Sequence, residues 1–201
     1  MILNFLFPKA CLECGKEGRY ICSECYCKVR PCNVVDSTNF SIFKYEGVIR
    51  RAIISLKYKF AYDIADELVG RLVTSLINNK RLTSSAHCLV PVPLHWHREN
   101  WRGFNQTEII GEKLAKKMNW KYHPNLLFRN KQTVPQVGLK GLVRRNNISG
   151  VFSVNPNDVI CTKYSVLLFD DVYTTGSTIN EAKKVLLEAG FKNIKSLTIA
   201  R

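Results

Sequence analysis

Toward the C-terminus the chain reads Val166-Leu-Leu-Phe-Asp-Asp-Val-Tyr-Thr-Thr-Gly-Ser-Thr178. Four apolar residues lead into two adjacent carboxylates, and hydroxyls clustered around one glycine follow. Leu167 to Phe169 has the character of a buried strand, with Asp170 and Asp171 leaving its carboxyl end. Thr174-Thr-Gly-Ser-Thr178 then turns into a helix predicted over 177–189. Backbone N–H groups at such a helix start point outward unpaired and form an anion site. Gly176 lacks a Cβ and permits close approach of a phosphate, and the hydroxyls of Thr174, Thr175, Ser177 and Thr178 can donate to the same oxygens. Two carboxylates beside a phosphate cradle would repel the phosphate itself. They make sense if they accept from hydroxyls close by, or hold a divalent cation through water. A phosphate next to a cis-diol is a ribose 5-phosphate. Thr178-Ile-Asn-Glu181 also fits a capping box, which accounts for a hydroxyl at the turn but not for the two acids. Neither GxxxxGK[ST] nor GxGxxG is present in the stretch.

Cysteine carries the second chemistry. Six of the eight cysteines lie between residues 11 and 32, and Cys11-Leu-Glu-Cys14 and Cys22-Ser-Glu-Cys25 form two CxxC pairs. Each pair turns two sulfurs toward one point, and two such knuckles offer four thiolates in a tetrahedron, which suits structural zinc. Cys27 and Cys32 are alternatives to Cys25 as fourth ligand. Gly15 and Gly18 supply the sharp turns. Disulfides would need an oxidising compartment, and the apolar stretch Met1–Pro8 lacks the basic start and cleavage site of an export signal. A segment this short cannot bury its own core, so the metal holds it folded. Cys88 and Cys161 stand in apolar surroundings and read as ordinary buried thiols.

The elements that must position these groups follow from periodicity. Residues 40–45 alternate as a strand. Apolar positions 48, 49, 52, 53 and 56 predict a helix after Gly47, and Ile64, Leu68, Leu72 and Leu76 predict another with Asp63 as its N-cap. Residues 87–93 read as a strand ended by prolines, 105–118 as an amphipathic helix, and 151–154, 164–169 and 194–200 as strands. Residues 129–147 are basic, contain Pro135, Gly138 and Gly141, and read as a long loop ending in a short helix. Alternating strands and helices predict a parallel α/β sheet with helices on both faces, which binds ligands at the carboxyl ends of its strands. Residues 1–39 form the metal module and 40–201 the α/β domain. No apolar run approaches the ~20 residues needed to cross a bilayer.

Net charge is +14, and residues 86–150 hold eleven Lys/Arg against three acids, an excess of eight in a third of the chain. Such a field attracts polyanions: nucleic acid, anionic lipid or a pyrophosphate-bearing metabolite. Trp96, Trp101, Phe104 and Trp120, interleaved with His95, His97, Arg98 and Arg102, suit phosphate contact plus base stacking. For Trp120, core packing is the stronger reading.

Residues 170–178 closely resemble the phosphoribosyl-pyrophosphate (PRPP) motif of type I phosphoribosyltransferases. The CxxC pairs, Leu56-Lys57-Tyr58, Pro91-Val-Pro93 with Arg98 and Arg102-Gly-Phe-Asn-Gln106, and Gln136 with Arg145-Asn-Asn-Ile-Ser-Gly-Val-Phe152 together resemble the ComF/ComFC competence family over nearly the whole chain. The resemblance implies a type I phosphoribosyltransferase-like sheet. Asp170 and Asp171 would engage the ribose 2- and 3-hydroxyls, and 174–178 the 5-phosphate. Val172 and Tyr173 lie inside the same PRPP-binding stretch. Arg102 and Gly103 fall at the pyrophosphate loop and 129–145 at the flexible loop that closes over substrate. The implied cofactor is Mg²⁺ with PRPP, and the implied setting is a cytoplasmic bacterial protein, at most peripheral to the inner membrane, that handles single-stranded DNA with the DNA-uptake machinery.

Lys57, Arg98, Lys131, Lys140, Arg144 and Arg145 are the candidate DNA contacts, each weighed against plain solvated charge. Two classes of function stand side by side: a PRPP-dependent transferase of unspecified acceptor, with Asp170 and Asp171 at its centre, and a binding module that keeps the PRPP site and grips DNA on its basic face. A glutamine amidotransferase is not expected, since the first cysteine is residue 11 and no glutaminase domain accompanies it.

Overall fold

The run Val166–Phe169 is completely shielded from solvent because it lies in the middle of a sheet covered on both faces. The computed structural model describes residues 8–32, 36–58, 62–77, 87–94, 103–130, 150–158 and 165–201. In chain order the elements are α1 (Ser23–Cys27), β1 (Asn39–Phe43), α2 (Gly47–Tyr58), α3 (Tyr62–Ile77), β2 (His87–Pro91), α4 (Gln106–Met118), β3 (Lys121–Tyr122), β4 (Leu127–Arg129), β5 (Phe152–Val154), β6 (Ser165–Val172), α5 (Ser177–Glu188) and β7 (Ile194–Ala200). Five strands form a parallel sheet in the order β1-β7-β6-β2-β3, with Leu168 of β6 opposite Ser196 of β7 and Val90 of β2. β4 and β5 form a separate antiparallel pair.

Alternation along β6 divides the core in two. Leu167 and Phe169 pack with Ile49, Ile53 and Leu56 of α2, Leu68 and Leu72 of α3, and Ile110 and Leu114 of α4. Val166 and Leu168 pack on the other face with Ile179, Ala182 and Leu186 of α5 and with Leu127 and Phe152 of the antiparallel pair. The buried positions of α2 and α3 are those with helical spacing in the sequence. The expected parallel α/β sheet with helices on both faces is present. Gly111 lets α4 lie close on the sheet: a Cβ there would come within 3.1 Å of Leu89 and 3.4 Å of Phe169. Trp120 packs against the first core, as expected from its surroundings.

Three local expectations change. β6 does not end at Phe169. Its ladder with β7 continues through Asp170–Thr198 and Val172–Ala200, so both carboxylates belong to the strand and project to opposite faces. Asp63 is not an N-cap. It sits in the first turn of α3, which starts at Tyr62, and pairs with Lys9 at 2.7 Å. Arg129 is the last residue of β4, opposite Phe152, and not the start of a loop. The strands β3 and β4 have two and three residues, too few for periodicity to reveal.

The cysteine segment shares the first core: Cys11, Ile21, Cys22 and Cys25 are buried within it. Glu67 of α3 accepts from the N–H groups of Tyr20 at 3.1 Å and Ile21 at 2.8 Å, tying the segment to the helix layer. Among the described residues, no helix is long and apolar enough to cross a membrane.

Candidate functional site

The four predicted cysteines converge. The sulfurs of Cys11, Cys14, Cys22 and Cys25 all lie within 4.8 Å of one another, with Cys14 and Cys22 3.7 Å apart. Sulfurs about 2.3 Å from one tetrahedral metal are roughly 3.8 Å apart, so the cluster fits a four-coordinate ion. Two backbone turns build it. Gly15 and Gly18 take positive φ, and Cys22 caps α1, its sulfur accepting the Cys25 N–H at 3.4 Å. Cys27 and Cys32 are outside the cluster, one exposed and one buried, which leaves Cys25 as the fourth member. Burial opposes a thiolate at Cys11, yet the N–H groups of Cys14, Cys22 and Glu13 and the Cys22 thiol outweigh it and bring Cys11 down to about 6. Burial, then the crowding of the three other thiols, pushes Cys25 up to about 12. A bound cation is what lets all four ionise together. Four sulfurs around one ion would leave it no open coordination position.

The second site lies at the carboxyl end of β6. A cavity of about 210 Å³ is lined by Asp170, Asp171, Val172, Thr174 and Thr178, by Val92, Pro93 and Leu94 after β2, and by Lys57, Gln106 and Arg129. Lys57, expected on the DNA face, comes from the last turn of α2 and places its ammonium 2.5 Å from Asp171 Oδ2. Gln106 opens α4 and donates to the same oxygen at 3.1 Å. Its position is set by Asn105, which caps the helix by accepting the Thr107 N–H at 3.0 Å, while Thr107 Oγ1 donates to the Val92 carbonyl at 2.9 Å. Asp170 accepts the Asp171 N–H at 2.8 Å. Burial first, then the Asp171 carboxylate, push Asp170 up to about 7, although that N–H, Lys57 and Arg129 all pull it down.

The turn that follows is open for an anion. Gly176 caps α5 in the left-handed region, φ 76°, with no side chain of its own to offer, and the Ser177 N–H donates to Thr175 Oγ1 at 3.4 Å. The capping box does not form: Glu181 instead accepts the Gly150 N–H at 2.5 Å. The first intrahelical bond runs from Asn180 N–H to the Gly176 carbonyl at 2.8 Å, and among the described residues the N–H groups of Thr178 and Ile179 have no partner. The Thr175 and Ser177 hydroxyls bond to each other across the turn. A Cβ on Gly176 would meet the Tyr173 hydroxyl 2.3 Å away. Gly176→Ala is therefore expected to cost roughly 1–3 kcal/mol, from the left-handed backbone and the overlap together. Tyr173→Phe in the same chain should recover part of the loss in a thermal melt; an unshifted melt for the single variant would show the turn to be slack.

Gly103 is described and has φ 73°. Arg98, Arg102, Lys131, Lys140, Arg144 and Arg145 lie outside the described residues. Gln106 and Arg129 were not expected at the site. Nothing in the local pattern marks Arg129, whereas Gln106 directly follows the helix cap. A larger groove of about 440 Å³ runs between Gly18–Ile21 and α3. Its Lys9, Asp66 and Glu67 are engaged by Asp63, Lys113 and the Tyr20 and Ile21 N–H groups, so the convergent chemistry is not there.

No family model matches the chain. Curated relatives do. Competence protein F of Haemophilus influenzae is 28% identical over 197 residues, 95% of this chain and 84% of that protein. DNA utilization protein YhgH of Escherichia coli K12 is 25% identical over 197 residues, 95% of this chain and 83% of the relative. Competence protein ComFC of Bacillus subtilis is 25% identical over 198 residues, 95% of this chain and 77% of the relative. The similarity runs over 95% of the chain and supports the resemblance to the ComF/ComFC competence family.

Proposed function

We propose that this protein binds PRPP, with Mg²⁺ entering on its pyrophosphate, at the carboxyl end of β6, and that it serves DNA uptake in natural transformation by handling single-stranded DNA. The observation that carries the reading is the joining of two half-sites in one cavity: the paired carboxylates Asp170 and Asp171, and the start of α5 after Gly176, where the Thr178 and Ile179 N–H groups have no partner among the described residues. The first suits ribose hydroxyls and the second a 5-phosphate. The relatives' names, a competence protein and a DNA utilization protein, support the DNA role. Zinc is the metal proposed for the four sulfurs, as the ion that best suits a closed thiolate tetrahedron. The protein would work in the cytoplasm or at the inner face of the inner membrane, beside the uptake machinery.

Calorimetry with Mg²⁺ and PRPP tests the site. Saturable heat at one PRPP per chain is expected, and a silent titration would mean that the strand–turn–helix has been turned to another use. A second reading, a transferase that displaces pyrophosphate from C1 of PRPP, is favoured by Arg129 on the same cavity. A cation so placed can stabilise charge building on a departing pyrophosphate. Release of pyrophosphate, screened with free bases and with single-stranded DNA, decides it.

DNA binding should be strongly electrostatic, given the net charge of +14. Affinity for a single-stranded oligonucleotide is expected to fall about 10–100-fold between about 50 and 200 mM salt, because neutralised phosphates release counterions. A flat response in fluorescence anisotropy would remove the basic residues, Arg98, Lys131, Lys140, Arg144 and Arg145 among them, as the DNA contacts.

A further inference from the structure

We infer that Lys57 is a positioning residue of this site: with Gln106 it pins one oxygen of Asp171 and thereby presents the other to the ribose. The inference rests on the PRPP reading. Lys57 Nζ and Gln106 Nε2 both engage Oδ2, at 2.5 and 3.1 Å. Among the described residues nothing bonds to Oδ1. A carboxylate is planar, so two donors on one oxygen set the plane and the direction of the other. The two donors come from different elements, the end of α2 and the start of α4, which fixes the group by triangulation.

The pair is also nearly dry. The Asp171 side chain is 10% exposed and that of Lys57 22%, so water competes little for the contact and Lys57 is not a free surface cation. Lys57 in turn is carried by a helix anchored at the cysteine knuckles, where Arg51 pairs with Glu13 at 2.8 Å. Six residues of α2, about 9 Å of helix, carry the chain from Arg51 to Lys57. The lysine therefore acts on the ligand through Asp171, and its contribution should appear wherever a ribose hydroxyl meets that acid.

The test compares the unmodified protein with Lys57→Met, Lys57→Arg, Asp171→Asn and the double variant Lys57→Met/Asp171→Asn. Thermal melts of the four-member cycle read the pairing. Lys57→Met should destabilise the natural chain but have little effect once Asp171 is Asn. Titrations with Mg²⁺-PRPP and with ribose 5-phosphate read the positioning. Lys57→Met should weaken both ligands by a similar factor, tenfold or more, with Lys57→Arg restoring most of it.

Additive melts, or PRPP binding unchanged in a well-folded Lys57→Met, would overturn the inference. Loss confined to PRPP would overturn it too, making Lys57 a pyrophosphate contact. If the unmodified protein binds neither ligand, the PRPP reading itself fails and this inference falls with it. That outcome is distinct from one in which the natural chain binds and the variant is unaffected.

Discussion

A chain stripped of its cysteine-bound metal is expected to lose residues 8–32 as an ordered unit and to melt more than about 10 °C lower. Structural zinc supplies on the order of 10 kcal/mol to segments that cannot fold alone. Here the loss extends further, because Cys11, Ile21, Cys22 and Cys25 are part of the core beneath α2 and α3. For a domain of this size each kcal/mol shifts the midpoint by about 2–4 °C, so even a fraction of the metal's contribution is visible. Metal analysis should find one zinc per chain, released only on unfolding or under strong chelation. Cys22→Ser should abolish it, whereas Cys27→Ser and Cys32→Ser should retain it, since neither sulfur belongs to the cluster. A metal-free protein with an unshifted melt would show that packing alone holds the knuckles.

Asparagine at either of the paired acids should abolish PRPP binding, a loss of about 100-fold or more, yet the two changes should move stability in opposite directions. Asp170 is held near 7 in the fold by burial and by Asp171, against roughly 4 in an unfolded chain. The native state therefore keeps a proton that the unfolded state has released, and stability falls as pH rises from about 4 to about 7 and is level above that. Asp170→Asn removes the penalty. It should be more stable than the natural protein at pH 8, by roughly 2–4 kcal/mol, with the difference vanishing near pH 4. Asp171→Asn instead leaves Lys57 facing a neutral group in a nearly dry contact and should destabilise by about 1–3 kcal/mol. Denaturant melts at pH 5 and pH 8 separate the two. Equal effects of both substitutions would mean that the acids share one environment, and intact PRPP binding in either would remove that acid from the ribose.

The opposite effects expected of the neighbouring acids come from the strand continuing to Val172. Adjacent residues of a strand face opposite ways, so Asp171 meets α2 and α4 while Asp170 lies on the side of Leu168 and Arg129. The apolar run by itself locates the strand but not its last residue. That depends on a ladder with β7, whose paired residues lie 28 positions further along. The failed capping box has a similar origin. Glu181 has the spacing to fold back on Thr178, but Gly150 offers a backbone donor from across the site and wins it.

What the amino-acid order determined alone is whatever depends on near neighbours. The CxxC pairs had to turn their sulfurs inward because two intervening residues allow little else, and the four sulfurs then converge on one point that could hold a metal ion. The buried faces of α2 and α3 follow from helical spacing, and the hydroxyl-and-glycine turn after β6 follows from its composition. The tertiary structure alone decided which charges meet. Lys57 is 114 residues from Asp171 and Arg129 is 41 from Asp170, and no local pattern links them. Long, many-rotamer side chains find their partners only after the helices and strands that carry them have packed.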